Sequence, residues 1–175
     1  GHPDALPADR PVAARNDDVT MSDDPIDPGI GPVVSSAHLA DSALPSLSEV
    51  EFAVTMMNNA YHRWMVRCMT AAGGPAMSPL EVLILHLVHH RDRAKTLAEV
   101  CLILNVEDTH LANYAIRKLT QAGLLKAGRK GKEKTIEITP EGAALCARYK
   151  EVREALLVRA VRQLGVAVDD QWGED

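Results

Sequence analysis

From residue 47 onward, apolar positions recur at spacings that change along the chain, and the changes mark its elements. Leu47, Val50, Val54, Met57, Tyr61, Trp64 and Cys68 follow at intervals of three and four, the mark of one helix face. Phe52, Met56 and Met65 add apolar surface elsewhere on its circumference, so the helix needs burial on more than one side. Ser46-Leu47-Ser48-Glu49 reads as its capping box, and Gly73-Gly74-Pro75 as its end. A second start follows at Ser78-Pro79-Leu80-Glu81, and the nearly unbroken apolar run to Val88 predicts a helix through the core. Arg91-Asp92-Arg93 marks its polar exit.

The pattern then shortens. Thr96-Leu97-Ala98-Glu99 is a capping box that opens a short helix to about Leu104, and Asn105 suits the left-handed residue of a tight turn. The next helix is predicted from about Asp108 to Ala122, with Leu111, Ala112, Ala115, Ile116 and Leu119 as its buried stripe and Gly123 as its stop. Leu124-Leu125-Lys126 reads as a strand and 128–132 as a turn. Lys134–Ile138 alternates with period two, as a half-buried return strand does. Thr139-Pro140-Glu141-Gly142 begins a last helix with Leu145, Tyr149, Val152, Leu156 and Ala160 on one stripe, ending near Leu164. The fold class is mainly α with a small β-hairpin wing. It is a winged helix-turn-helix with N- and C-terminal dimerisation helices. Residues 46–168 form that domain, with its reading head at about 78–140.

Outside that stretch the composition shifts. Residues 1–45 are rich in Pro, Asp, Ala and Gly without periodicity and read as a disordered or loosely docked acidic arm. Gly1-His2 reads as a protease remnant, and Met21 as a candidate internal start. Residues 169–175 are an acidic tail. The net charge of −5 argues against a nucleic-acid partner only until it is divided. Residues 1–47 carry eight Asp and two Arg, and residues 169–175 carry four acids. The remaining 48–168 hold 17 Lys and Arg against 12 Asp and Glu. A polyanion is steered by local charge, because salt screens over about 8–10 Å.

A short helix, a tight turn, a second helix and a basic hairpin make a winged helix-turn-helix. Thr96-Leu97-Ala98-Glu99-Val100 through Asn105-Val106, Ala115-Ile116-Arg117-Lys118-Leu119 through Gly123-Leu124-Leu125, and Ile138-Thr139-Pro140-Glu141-Gly142 together resemble the MarR family of transcriptional regulators over about residues 47–165. The resemblance implies a cytoplasmic DNA-binding regulator, more often a repressor. It implies a homodimer joined through the N- and C-terminal helices, and a small-molecule effector held between the dimer region and the reading head.

The residues carry the same reading independently. A major groove accepts one helix, whose outward side chains meet base edges. His110, Asn113 and Tyr114 are assigned to base or groove contact. Thr96 and Thr109 are assigned to helix N-termini at the DNA, Thr109 to phosphate, and Arg117 and Lys118 to phosphates further along. Arg129, Lys130, Lys132 and Lys134 give the wing a basic tip for phosphate or minor-groove contact. Val50, Val54 and Met57 with Tyr149, Val152 and Leu156 are the dimerisation positions. Tyr61, His62, Trp64 and Met65 are the candidate effector pocket, although an aromatic and Met stripe at this spacing more often forms core.

Other chemistry finds little support. There is no phosphate loop, nucleophile elbow or useful carboxylate pair, so no catalytic residue or cofactor is assigned. His86 and His90 sit one turn apart in an H-x-x-H-H run, but are read as packing and helix-end residues rather than metal ligands. Cys68, Cys101 and Cys146 are widely spaced within apolar patterns, which predicts free thiols. Cys68 has no neighbouring base in the sequence to make it a redox sensor. No apolar run reaches membrane-spanning length, and no basic region followed by an apolar stretch predicts a secretory signal. The alternative is a winged-helix adaptor that binds protein through its acid-tipped face, Glu107-Asp108, without specific DNA binding. Surface charge separates the two.

Overall fold

The computed structural model describes residues 33–165. The acidic tail and all of the arm before Val33 lie outside the described residues. The chain divides into two compact units, 1–49 and 50–175.

In the first unit, α1 (Ala37–Ala40) is a single turn. The start of α2 (Pro45–Ala71) follows, one residue ahead of the expected box. Glu49, the expected acid of that box, instead accepts the Val33 N–H at 3.1 Å, and the neighbouring Ser48 hydroxyl donates to the Leu39 carbonyl.

The second unit is built by capped helices around one core. α3 (Pro79–His89) opens with a complete capping box between Ser78 and Glu81. α4 (Leu97–Ile103) opens with another between Thr96 and Glu99. Each box satisfies two N–H groups that the first helical turn leaves unpaired. Asn105 takes φ 52° in the turn to α5 (Thr109–Gln121). Asp108 is the N-cap of α5, its carboxylate accepting the His110 N–H at 2.8 Å. Val82, Ile84, Leu85 and Val88 of α3 meet Ala112, Ala115, Ile116 and Leu119 of α5 in the core, joined by Met65, Met69, Leu145 and Tyr149. Each fully buried large apolar side chain contributes about 1.5–3 kcal/mol.

Strands β1 (Leu125–Lys130) and β2 (Glu133–Ile138) pair antiparallel with Lys130 opposite Glu133. The turn is therefore Gly131-Lys132, tighter than the expected 128–132, with Gly131 at φ 64°. Residues 128–130 join the first strand because the turn needs only one left-handed residue, and Gly131 supplies it. Lys95 extends the hairpin by an isolated bridge to Ile136, exchanging N–H and carbonyl bonds at 3.0 and 2.8 Å. α6 (Pro140–Arg153) starts at Thr139, which caps it and also donates to the Gly123 carbonyl at 2.7 Å. Gly142 is obligatory at this junction, since a Cβ there would collide with the Leu124 carbonyl. The last helix then passes through a π-turn (Glu154–Val158) into α7 (Arg159–Gln163).

The apolar stripe of α2 divides. Cys68, with its neighbour Met69, is buried, whereas Val50, Val54, Met57 and Tyr61 are exposed. The core lies under the C-terminal part of the helix, where Arg148 Nε donates to the Ala72 carbonyl at 2.8 Å.

Candidate nucleic-acid interface

The outward face of α5 is set by its inward one. Ala112, Ala115, Ile116 and Leu119 are buried, and their spacing of three, four and seven fixes the rotation of the helix. Thr109, His110, Asn113, Tyr114 and Arg117 are consequently exposed together. Leu111 departs from the expected stripe: it is 57% exposed. It precedes Ala112 by one position, about 100° around the helix, and two alanines let the neighbouring helices approach without it.

Lys118 is placed differently from the outward phosphate role expected of it. Its ammonium lies 2.8 Å from the Glu81 carboxylate, which is itself buried. The hydrogen bond to Glu81 raises the Lys118 pKa above the ordinary lysine value. The other Glu81 oxygen accepts the Ser78 N–H at 3.2 Å. One carboxylate thus closes the cap of α3 and ties down α5. Among the described residues, α5 is left with Arg117 as its one exposed cation.

Thr96 caps α4: its hydroxyl accepts the Glu99 N–H at 3.2 Å. Glu99 in return accepts the Thr96 N–H at 2.7 Å and pairs with Arg93 at 2.8 Å. That backbone bond first, and Arg93 second, hold the Glu99 carboxyl at about 2. The cap is thus closed within the chain, between Thr96 and Glu99.

The wing is the cationic part. Arg129, Lys130, Lys132 and Lys134 are all exposed and surround the Gly131 turn. At its base Lys126 instead pairs with Glu137 across the strands at 3.3 Å. Behind the hairpin, Lys95 is only 2% exposed, and its ammonium donates to the His90 and Arg93 carbonyls at 2.8 and 3.0 Å. The buried cation ties together the segment between α3 and α4, and the Lys95 backbone bridge to Ile136 joins that segment to the sheet. Sequence reading missed it, because a lysine in a polar exit looks like a solvated one.

A cavity of about 540 Å³ lies between α2, α3 and α6. Tyr61 and Met65 line it, with His86, His89, Tyr149, Lys150 and Arg153. His62 lines a different groove with Arg63 and Arg67. Trp64 stacks on Tyr61 at 6.0 Å and meets Tyr149 edge-on at 6.2 Å. Of the four expected pocket residues, Tyr61 and Met65 therefore share one cavity, Trp64 backs its aromatic wall and His62 faces elsewhere. The His86 ring packs 4.5 Å from that of Tyr149, and its Nε2 is buried with no hydrogen-bond partner. Burial, and then the neighbouring His89, lower the His86 pKa. Burial likewise pushes the Tyr149 hydroxyl up, the Cys68 thiol up and the Cys146 thiol to about 11. All three cysteines are free and buried, and a raised pKa makes a thiol inert rather than reactive. No group of three or more metal-ligating side chains occurs among the described residues.

Of the positions expected to form a dimer contact, Val50, Val54, Met57 and Leu156 are exposed and Val152 is half-buried. Tyr149 is 7% exposed, its ring already packed against His86 and Trp64 of the same chain. No described helix is long and apolar enough to cross a membrane.

Comparison with known proteins agrees with this geometry. Residues 77–142 match the winged helix DNA-binding domain family. No curated protein sequence matches the chain. Among solved structures, it is similar to CouR from Rhodococcus jostii RHA1 bound to p-coumaroyl-CoA, at 15% identity and a TM-score of 0.52, over 66% of this chain and 86% of that one. A MarR-family transcriptional regulator from Rhodococcus sp. RHA1 aligns at 16% identity and 0.53, over 74% and 91%. One from Methanosarcina mazei aligns at 16% and 0.54, over 70% and 84%. The chain has the fold of these MarR-family structures, with a winged helix domain at residues 77–142.

Proposed function

We propose that this chain is a MarR-type transcriptional regulator, a dimeric repressor that binds double-stranded DNA in the cytoplasm. The observation that carries the reading is one continuous arrangement. An α5 face exposing His110, Asn113, Tyr114 and Arg117 is followed directly by a hairpin exposing four cations at its tip. A helix of this kind enters a major groove, and a cationic hairpin beside it meets phosphate or the minor groove. Asn113 is suited to adenine by bidentate hydrogen bonding. The exposed Val50, Val54, Met57 and Leu156 support pairing of two copies through α2 and the last helix.

The cavity supports an effector site. Its wall is aromatic and sulfur-rich at Tyr61, Met65 and Tyr149, and Lys150 and Arg153 supply positive charge. An aromatic acid or its thioester fits that chemistry. CouR, which shares the fold, was solved with p-coumaroyl-CoA.

The test is fluorescence anisotropy with DNA from upstream of the protein's own gene, at two salt concentrations, against random-sequence competitor. Specific and salt-sensitive binding by a dimer is the expected result. A folded protein with no specific binding at low salt overturns the regulator reading. It would favour the adaptor, for which the exposed Leu102 and Ile103 of α4 offer an apolar contact.

A further inference from the structure

We infer that Leu111 and Tyr114 read thymine methyl groups, so that this protein selects its DNA site through methyl contacts rather than through guanine. The inference rests on the DNA-binding reading above and names the bases that reading would recognise.

The reading helix lacks the usual means of recognising guanine. Specific recognition of guanine in the major groove rests mainly on Arg or Lys bidentate to O6 and N7. The first two turns of α5, from Thr109 to Ala115, hold neither residue. Lys118 is bound to Glu81 at 2.8 Å, and only Arg117 remains. The Asp108 carboxylate, which suits cytosine as an acceptor, already caps the helix through the His110 N–H.

What the helix presents instead is apolar. Leu111 and Tyr114 are 57% and 59% exposed. They lie three positions apart, so they share one side of α5. Asn113 stands on the opposite flank, about 160° around the helix from Leu111. Leu111 is exposed on a helix whose other exposed side chains are polar or, as with Tyr114, amphipathic, and among the described residues it is left out of the core. In a major groove it has a specific apolar partner, the C5 methyl of thymine, the one apolar group that base edges offer there. Asn113 on the other flank adds adenine. Both flanks therefore favour A·T pairs, and the cationic wing supplies affinity without sequence.

The experiment uses the full chain and a duplex obtained by selection from a random library. Each thymine is replaced in turn by uracil, which removes only the methyl. For at least one position in each half-site, uracil should weaken wild-type binding about fourfold, as expected for one buried methyl. Leu111→Ala should bind the thymine duplex correspondingly less well and lose the distinction between thymine and uracil at that position. Leu111 is exposed, so the variant should keep the wild-type Tm. Tyr114→Ala should do the same at a different thymine. Specific binding with uracil tolerated everywhere overturns this inference and leaves the regulator reading intact. Thymine discrimination that persists unchanged in both variants also overturns it. Failure to bind any duplex overturns both.

Discussion

Helix α5 and the wing sit side by side in sequence, and on the proposed function they divide recognition between them. α5 is over-determined: four buried side chains, an acidic cap and the Glu81 ion pair fix its rotation. The wing tip is held by a two-residue turn and carries side chains without such ties. Rigid groups favour specificity, because a side chain already in place loses little freedom on contact. Mobile cations favour affinity, because counterion release asks only for charge near phosphate.

The sharpest way to break this division is charge reversal at the tip. Lys130→Glu with Lys132→Glu should weaken binding to all sequences alike, on the order of fiftyfold at 0.1 M salt if two phosphate contacts go. The slope of log K against log salt should fall by about two. Anisotropy titrations at several salt concentrations check both, and a change in sequence preference would end the proposed division.

Asn113→Ala tests the other side. It should cost about 1–3 kcal/mol at its own base pair and relax the choice there, with the salt slope unchanged. A selection experiment repeated with the variant reads this directly.

Glu81→Gln keeps an acceptor for the Ser78 N–H and removes the charge that holds Lys118. Tm should fall by no more than a few degrees. Binding should shift toward the nonspecific, because the released lysine adds a mobile cation to the reading helix. Greater affinity for random DNA with weaker discrimination is the expected pair of changes.

The smallest effect concerns His86. Its pKa is lowered by burial, so the unfolded chain takes up a proton first as pH falls. Stability is complete above the ordinary value of about 6.5 and declines below it until the folded histidine also titrates. His86→Phe should flatten that acid limb of a Tm-against-pH curve, while the wing variants leave it unchanged.

Much of this arrangement was legible in the sequence, because caps and turns are local chemistry. Ser78 to Glu81, Thr96 to Glu99, Asn105 and Gly123 each state a backbone geometry within a few residues, and each takes it here. The interactions between distant residues were not legible. Glu81 and Lys118 read separately as a cap residue and a DNA contact, and only packing of α3 on α5 brings them together. Lys95 drew no reading because its partners are backbone carbonyls, which leave no mark in side-chain patterning. Leu111 read as core because periodicity has about one residue of tolerance. The π-turn at Glu154–Val158 has no proline, glycine or cap to announce it. On the site, exposure of His110, Asn113, Tyr114 and the wing cations followed the pattern. The expected pocket converged only in part, with Tyr61 and Met65 on one cavity and His62 on another groove, because consecutive residues point around most of a helix turn.

The buried Lys95 ammonium has a practical consequence. An amine-specific acylating reagent should modify Lys130, Lys132 and Lys134 quickly in the native protein, and Lys95 last. Within one mass spectrum, Lys95 is then the internal clock of global opening, and the wing lysines are the footprint of whatever covers them. Protection of the wing by DNA is real when Lys95 labelling stays unchanged. A sample that labels Lys95 has lost its fold before any question of binding arises.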